Sequence, residues 1–165
     1  MPLELGSILH GQYRIDAVLS EHAYGGVYRS YDLDNAKLCV VKEILSVPRR
    51  EFIEMAAELL PRIHPNLASV LNYFSVNEEH HFLVMEYVYG ESLFDRVTRL
   101  SALPEGEAIV RVSQVLVALD YLHTRTSDLL HCDVNPSNIF VTPDDLTVLV
   151  GYGMGRSLSP GTTAT

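Results

Sequence analysis

Positive charge is the scarcest property of this 165-residue chain: 12 Lys and Arg stand against 21 Asp and Glu, giving a formal net charge of −9 and a pI near 5.1. A domain that binds nucleic acid or lies on an anionic membrane carries a basic patch, so the composition argues against both partners. Long apolar runs are also missing. No stretch of about 18 apolar residues occurs, and Met1-Pro2-Leu3-Glu4-Leu5 lacks the positive then apolar layout of a secretion signal, so the expectation is a soluble cytoplasmic protein. Cysteine is reduced to Cys39 and Cys132, too few and too far apart for a disulfide framework or metal-ligand spacing. Both read as reduced thiols packed like small hydrophobic residues. Internal repeats and low-complexity segments are absent, while 47% hydrophobic residues can supply one core or two small lobes.

What is present is an ordered series of strand and helix signals. Segments 13–19 and 26–31 alternate or carry β-branched and aromatic residues, and Leu38-Cys39-Val40-Val41-Lys42 is an apolar strand ending in a cation. A helix is expected over 48–63, opened by Pro48, followed by the turn His64-Pro65-Asn66. Two strands, 67–75 and 80–87, flank the acidic turn Asn77-Glu78-Glu79, and Ser92 is a plausible N-cap for a short helix. The longest helix signal is 104–124, apolar on most of its circumference and so expected to be largely buried. Segments 139–141 and 147–150 then form a hairpin around Pro143-Asp144-Asp145.

Between those last elements lies His131-Cys132-Asp133-Val134-Asn135-Pro136-Ser137-Asn138. This stretch resembles the catalytic loop of the protein kinase family, H-R-D followed four residues later by Asn, with Asp133 at the base position and Asn138 at the metal-binding position. Other landmarks follow the family's order. Gly25 and Val27 match the end of the glycine-rich loop, Lys42 the strand lysine that pairs nucleotide phosphates, and Met85 the gatekeeper before the adenine-binding hinge at Glu86 and Val88. The resemblance covers nearly the whole chain. It implies an α+β, protein-kinase-like fold: an antiparallel five-stranded sheet with one helix, αC, over residues 1–88, then a partial helical lobe over 89–165. It also implies ATP as ligand.

The departures from the family are chemical. Ser20 and His22 replace the first two glycines of the loop, Cys132 and Asn135 replace an Arg and a Lys, and Gly151 in Gly151-Tyr152-Gly153 stands where the family has the magnesium-binding Asp. The αC position that should carry the Glu partner of the strand lysine holds Met55 or Ala56, with Glu54 and Glu58 on neighbouring faces. One charge pair at about 4 Å is worth on the order of 4 kcal/mol at an effective dielectric of about 20, or roughly a thousandfold in rate. Magnesium is left with Asn138 alone, a poor site. The chain stops inside what would be the activation segment, so an apolar face of helix 104–124 is expected to meet a protein partner or a second copy. Three readings follow: an impaired, regulatory pseudokinase that binds ATP; an active Ser/Thr kinase when the remaining lobe is supplied; or an interaction module without nucleotide.

Overall fold

The computed structural model describes residues 3–22, 25–125 and 133–152. His131, Cys132, Gly153 and the chain end at 157–165 lie outside the described residues. The elements in chain order are β1 (Ile8–Leu9), β2 (Tyr13–His22), β3 (Gly25–Asp32), β4 (Lys37–Leu45), α1 (Arg49–Leu59), β5 (Val70–Ser75), β6 (His80–Glu86), β7 (Glu91–Ser92), α2 (Leu93–Leu100), α3 (Glu105–Arg125), a 3-10 turn (Pro136–Asn138), β8 (Ile139–Val141) and β9 (Thr147–Leu149). They fall into two units. The first comprises Met1–Arg62 and Ser69–Tyr87, the second Ile63–Ala68 and Val88–Thr165.

The first unit is an antiparallel sheet in the order β1-β2-β3-β4-β6-β5. Five of these strands are those expected from the sequence, and the two-residue β1 adds an edge. Strand β4 is paired with β3 from Lys37 to Lys42 and with β6 from Cys39 to Leu45, so alternate residues of Lys-Leu-Cys-Val-Val-Lys-Glu-Ile-Leu are sent to opposite faces. On one face Tyr13, Cys39, Val41, Phe74, Phe82 and Val84 form a core, closed from outside by Leu3 and Leu9. Aromatic rings stack across it, Tyr13 on Phe74 at 5.8 Å and Phe74 on Phe82 at 5.1 Å. Burial pushes the Cys39 thiol up to about 12, which makes it an inert packing group.

The opposite face carries α1 through Phe52, Ala56 and Leu59, all fully buried. Phe52 stacks on His81 at a ring distance of 4.5 Å and meets Tyr73 edge-on. His81 is itself fully buried, with Nε2 2.7 Å from the Val47 carbonyl and Nδ1 2.8 Å from the Ser75 hydroxyl. A carbonyl only accepts, so Nε2 is the donor to Val47. The helix is shorter than the predicted 48–63. Pro61 has no N–H to continue the ladder and its ring would press on the preceding turn, so the helix stops at Leu59 with Leu60 as its C-cap.

In the second unit the His64-Pro65-Asn66 turn is fastened to β9. Leu149 N–H donates to the Asn66 carbonyl at 2.8 Å, Ala68 N–H to the Leu149 carbonyl at 3.1 Å, and the Asn66 amide to the Thr147 carbonyl at 2.7 Å. These bonds group Ile63–Ala68 with the second unit, although the segment lies inside the range 1–88. Strands β7, β8 and β9 make a three-stranded antiparallel sheet. Ser92 caps α2 as expected, its Oγ accepting from Asp95 N–H at 3.0 Å.

Helix α3 is buried along one stripe and keeps an apolar face exposed, as expected. Val115, Ala118 and Leu122 are buried, and so is Arg111, which donates to the carbonyl and carboxylate of Asp145 at the β8–β9 turn. Ile109, Val110, Val112, Leu116 and Val117 are exposed, Leu116 by 58%. A helix apolar on most of its circumference is buried only where something covers it, and within this unit the covering layer reaches one stripe.

Candidate functional site

Strand pairing fixes where the first unit puts its candidate residues. Val27 and Lys42 are register partners across β3 and β4, and Met85 and Glu86 pair with Val40 and Cys39 across β4 and β6. Lys42 lies on the face that carries α1, because Ile44, two residues on, pairs with His81, which stacks on Phe52. Its side chain is buried, 4% exposed. On α1, Ala56 is fully buried and Glu54 pairs with Arg50 at 2.9 Å one helical turn away, consistent with a solvated helix charge.

The glycine-rich segment is a hairpin whose strands run on to His22 and Gly25, themselves register partners. Ser20 is therefore a strand residue opposite Val27, and Ala23 and Tyr24 lie outside the described residues. Gly25 has φ +130°, and a Cβ there would sit 2.1 Å from the backbone oxygen of Glu43. The glycine is required by close approach of β3 to β4. That steric reason holds whether or not a phosphate binds.

Glu43 is a site residue that sequence reasoning missed. Its carboxylate, with the side chain 6% exposed, accepts from Gly26 N–H at 3.1 Å, from the Tyr28 hydroxyl at 3.3 Å and from His80 Nε2 at 2.6 Å. Leu3 N–H in turn donates to the Tyr28 oxygen at 3.2 Å. Burial, with Glu43 beside it, raises the Tyr28 hydroxyl above the usual tyrosine range. The root of this glycine-rich hairpin, or flap, is thus anchored to a buried acid on the face opposite Lys42. The available signal was an acid next to Lys42 in an otherwise apolar strand, with a histidine arriving from β6.

At the hinge, Met85 is buried at 3% exposure. Glu86 N–H donates to the Ser69 carbonyl at 2.8 Å and its carboxylate accepts from Ser69 N–H at 3.2 Å, which ties the end of β6 to the start of β5. Val88 is half-buried and groups with the second unit.

The catalytic-loop residues of the second unit come together. Asn138 Nδ2 donates to the Asp133 carboxylate at 2.8 Å and to its carbonyl at 2.9 Å. Asn135 Nδ2 donates to the other carboxylate oxygen at 2.9 Å, while Asn135 Oδ1 accepts from Ser137 N–H and so caps the 3-10 turn. The Asn135-Pro136 pair makes this possible, since a side-chain oxygen at the cap and a fixed φ at the next residue both favour a tight turn. Gly151 follows β9 with φ +84°, and a Cβ on it would lie 3.0–3.1 Å from the amide atoms of Asn138. Tyr152 is buried, and its hydroxyl donates to the Ala68 carbonyl.

The resemblance implies a magnesium ion held by Asn138 and an Asp, and these residues do not fit it. Gly151 supplies no oxygen side chain, which leaves Asn138 Oδ1 as the one side-chain ligand remaining of the two that the resemblance implies. Among the described residues no group of three or more His, Cys, Asp or Glu gathers to hold an ion. A hard dication requires several oxygen ligands, which this arrangement does not offer. For a nucleotide the fit is partial: Lys42 supplies an ammonium group, whereas the Gly26 N–H is already bonded to Glu43.

Comparison with known proteins bears on the family and the fold. The serine/threonine-protein kinase pkn3 of Myxococcus xanthus is 32% identical over 162 residues, covering 92% of this chain and 29% of its own length. This chain therefore spans about a third or less of that relative. Among solved structures, the kinase domain of Mycobacterium tuberculosis PknI superposes with a TM-score of 0.75 at 28% identity, covering 93% of this chain and 62% of that one. Rad53 in complex with AMP-PNP gives 0.73 at 26% identity, covering 87% and 38%. The family model of the protein kinase domain matches residues 13–165, nearly all of the sequence, and the chain therefore belongs to the protein kinase family.

Proposed function

We propose that this chain is an impaired protein kinase domain, a pseudokinase, that binds ATP without needing a divalent cation and acts in the cytoplasm through contacts with other proteins. One observation carries the reading: at the metal-binding end Gly151 replaces the family's Asp, so that only Asn138 remains of the two side-chain ligands the family places there. Phosphoryl transfer depends mainly on positioning and on neutralising charge, so losing that acid and the loop lysine removes most of what the reaction needs. ATP binding is supported by family membership, by the retained Lys42 and by the hinge residues Met85, Glu86 and Val88; Rad53, a relative in fold, is known in complex with AMP-PNP. Apolar residues exposed along α3, Ile109, Val112 and Leu116 among them, support a protein-contact or self-association surface.

A second reading is favoured by Asp133, Asn138 and Lys42, which keep the family's identities. On it, the domain is a slow Ser/Thr kinase once the rest of a kinase lobe is supplied. Thermal-shift titration with ATP, in magnesium and again in EDTA, separates the readings. Equal stabilisation in both buffers, lost in Lys42→Ala, is the expected result. Stabilisation only with magnesium favours the kinase, and no stabilisation of a folded chain leaves an interaction module.

A further inference from the structure

We infer that Asn135 is a positioning residue: with Asn138 it clamps the carboxylate of Asp133, so that two side-chain amides hold the catalytic loop in shape where the family uses a cation. The inference rests on the proposed reading of Asp133 as the loop's acid. Asn135 works at both ends of one planar amide. Its NH2 donates to Asp133 Oδ1 at 2.9 Å and its oxygen accepts from Ser137 N–H at 2.9 Å. The lysine found here in the family has three donors and no acceptor, so it could reach Asp133 but could not cap Ser137.

Asn138 closes the clamp from the other side, donating to Asp133 Oδ2 at 2.8 Å. Its backbone is fixed as well. Asn138 N–H donates to the Asn135 carbonyl at 3.0 Å, and its own carbonyl accepts from Val150 N–H at 2.9 Å. Gly151 completes the set, because any Cβ there would press on the Asn138 amide in its clamped position. Two departures from the family, Asn135 and Gly151, are therefore mutually consistent: one supplies an amide where the family has a cation and the other removes a metal ligand, and both leave an amide-held loop. The plainer alternative is that Asn135 only caps a turn, a common task for this residue type.

A thermal mutant cycle on the full 165-residue chain separates the two. Asn135→Ser keeps a side-chain oxygen for Ser137 N–H but removes the amide that donates to Asp133. It is expected to lower Tm by about 3 °C, and by less than about 1 °C in an Asp133→Ala background. Equal losses in both backgrounds would make Asn135 a turn cap and overturn the inference. A spectroscopic readout is independent of stability: the Asn135 side-chain 15N–1H2 signals should move toward free-amide positions in Asp133→Ala, and unmoved signals count against the clamp. On adding Mn2+ and ATP to the wild type, the Asn138 amide signals should remain sharp; selective paramagnetic broadening would show metal ligation and overturn the metal-free loop. Failure of the functional proposal appears separately, as no ATP-induced Tm shift with the mutant cycle unchanged.

Discussion

The root of the glycine-rich hairpin and the catalytic loop each hold one carboxylate by several hydrogen bonds, yet water treats them differently. Glu43 is buried in the first unit among Gly26, Tyr28 and His80, whereas Asp133 is exposed in the second between Asn135 and Asn138. A buried acid that loses a partner keeps its desolvation cost, while an exposed one regains water. The flap network should therefore govern stability, and the loop network should govern the orientation of one side chain.

The largest effect should come from Gly25→Ala. A Cβ there lies 2.1 Å from the Glu43 carbonyl, and overpacking of this kind is expected to cost about 3 kcal/mol in a urea melt. If Gly25 served phosphate alone, stability would be unchanged and only ATP affinity would fall. Next is His80→Leu, which removes the 2.6 Å partner of Glu43 and should cost about 2 kcal/mol. A loss as small as that of an exposed pair would erase the contrast between the two regions.

Gly151→Ala is expected to cost about 1 kcal/mol through its φ of +84°, and to shift the Asn138 side-chain amide signals. Unmoved signals would mean that the space beside Asn138 is not tight. For the same reason Gly151→Asp should not restore phosphoryl transfer to a protein substrate in a radiolabel assay, since it crowds Asn138 and leaves the other losses in place. Appreciable transfer by that variant would favour the kinase reading.

The smallest effect concerns Glu91, an acid held by Arg96 and Arg99 at 3.0 and 2.8 Å. Hydrogen bonding to Arg99, then Arg96, lowers its pKa from 4.5 to about 2. A depressed folded-state pKa gives stability that is present above the unfolded value and lost as pH falls through the folded one. The Tm difference between wild type and Glu91→Gln should thus be full at neutral pH and shrink between about pH 4.5 and 2. A difference that persists at pH 2 would mean that packing, rather than charge, separates the two proteins.

Much of this was legible in the sequence. The strand series, the Ser92 cap, the Asp133 to Asn138 spacing and the replacements at Asn135 and Gly151 all lie in short stretches whose chemistry is local. The missed features join distant positions. Glu43 gained its role from His80, 37 residues away, and from Gly26, 17 away. Arg111, which read as an interruption of an apolar helix, holds the hairpin at Asp145, 34 residues on.

The sequence by itself determined the order of elements, the family and the charges that were lost, because identities and spacings are properties of the chain. Only the tertiary structure decided what the remaining groups do. It assigned the Asn135 and Asn138 amides to Asp133, Gly25 to the close approach of β3 to β4, and the His64-Pro65-Asn66 turn to β9. The physical reason is that a hydrogen-bonding group has several possible partners along a chain, and packing alone selects which of them is within 3 Å.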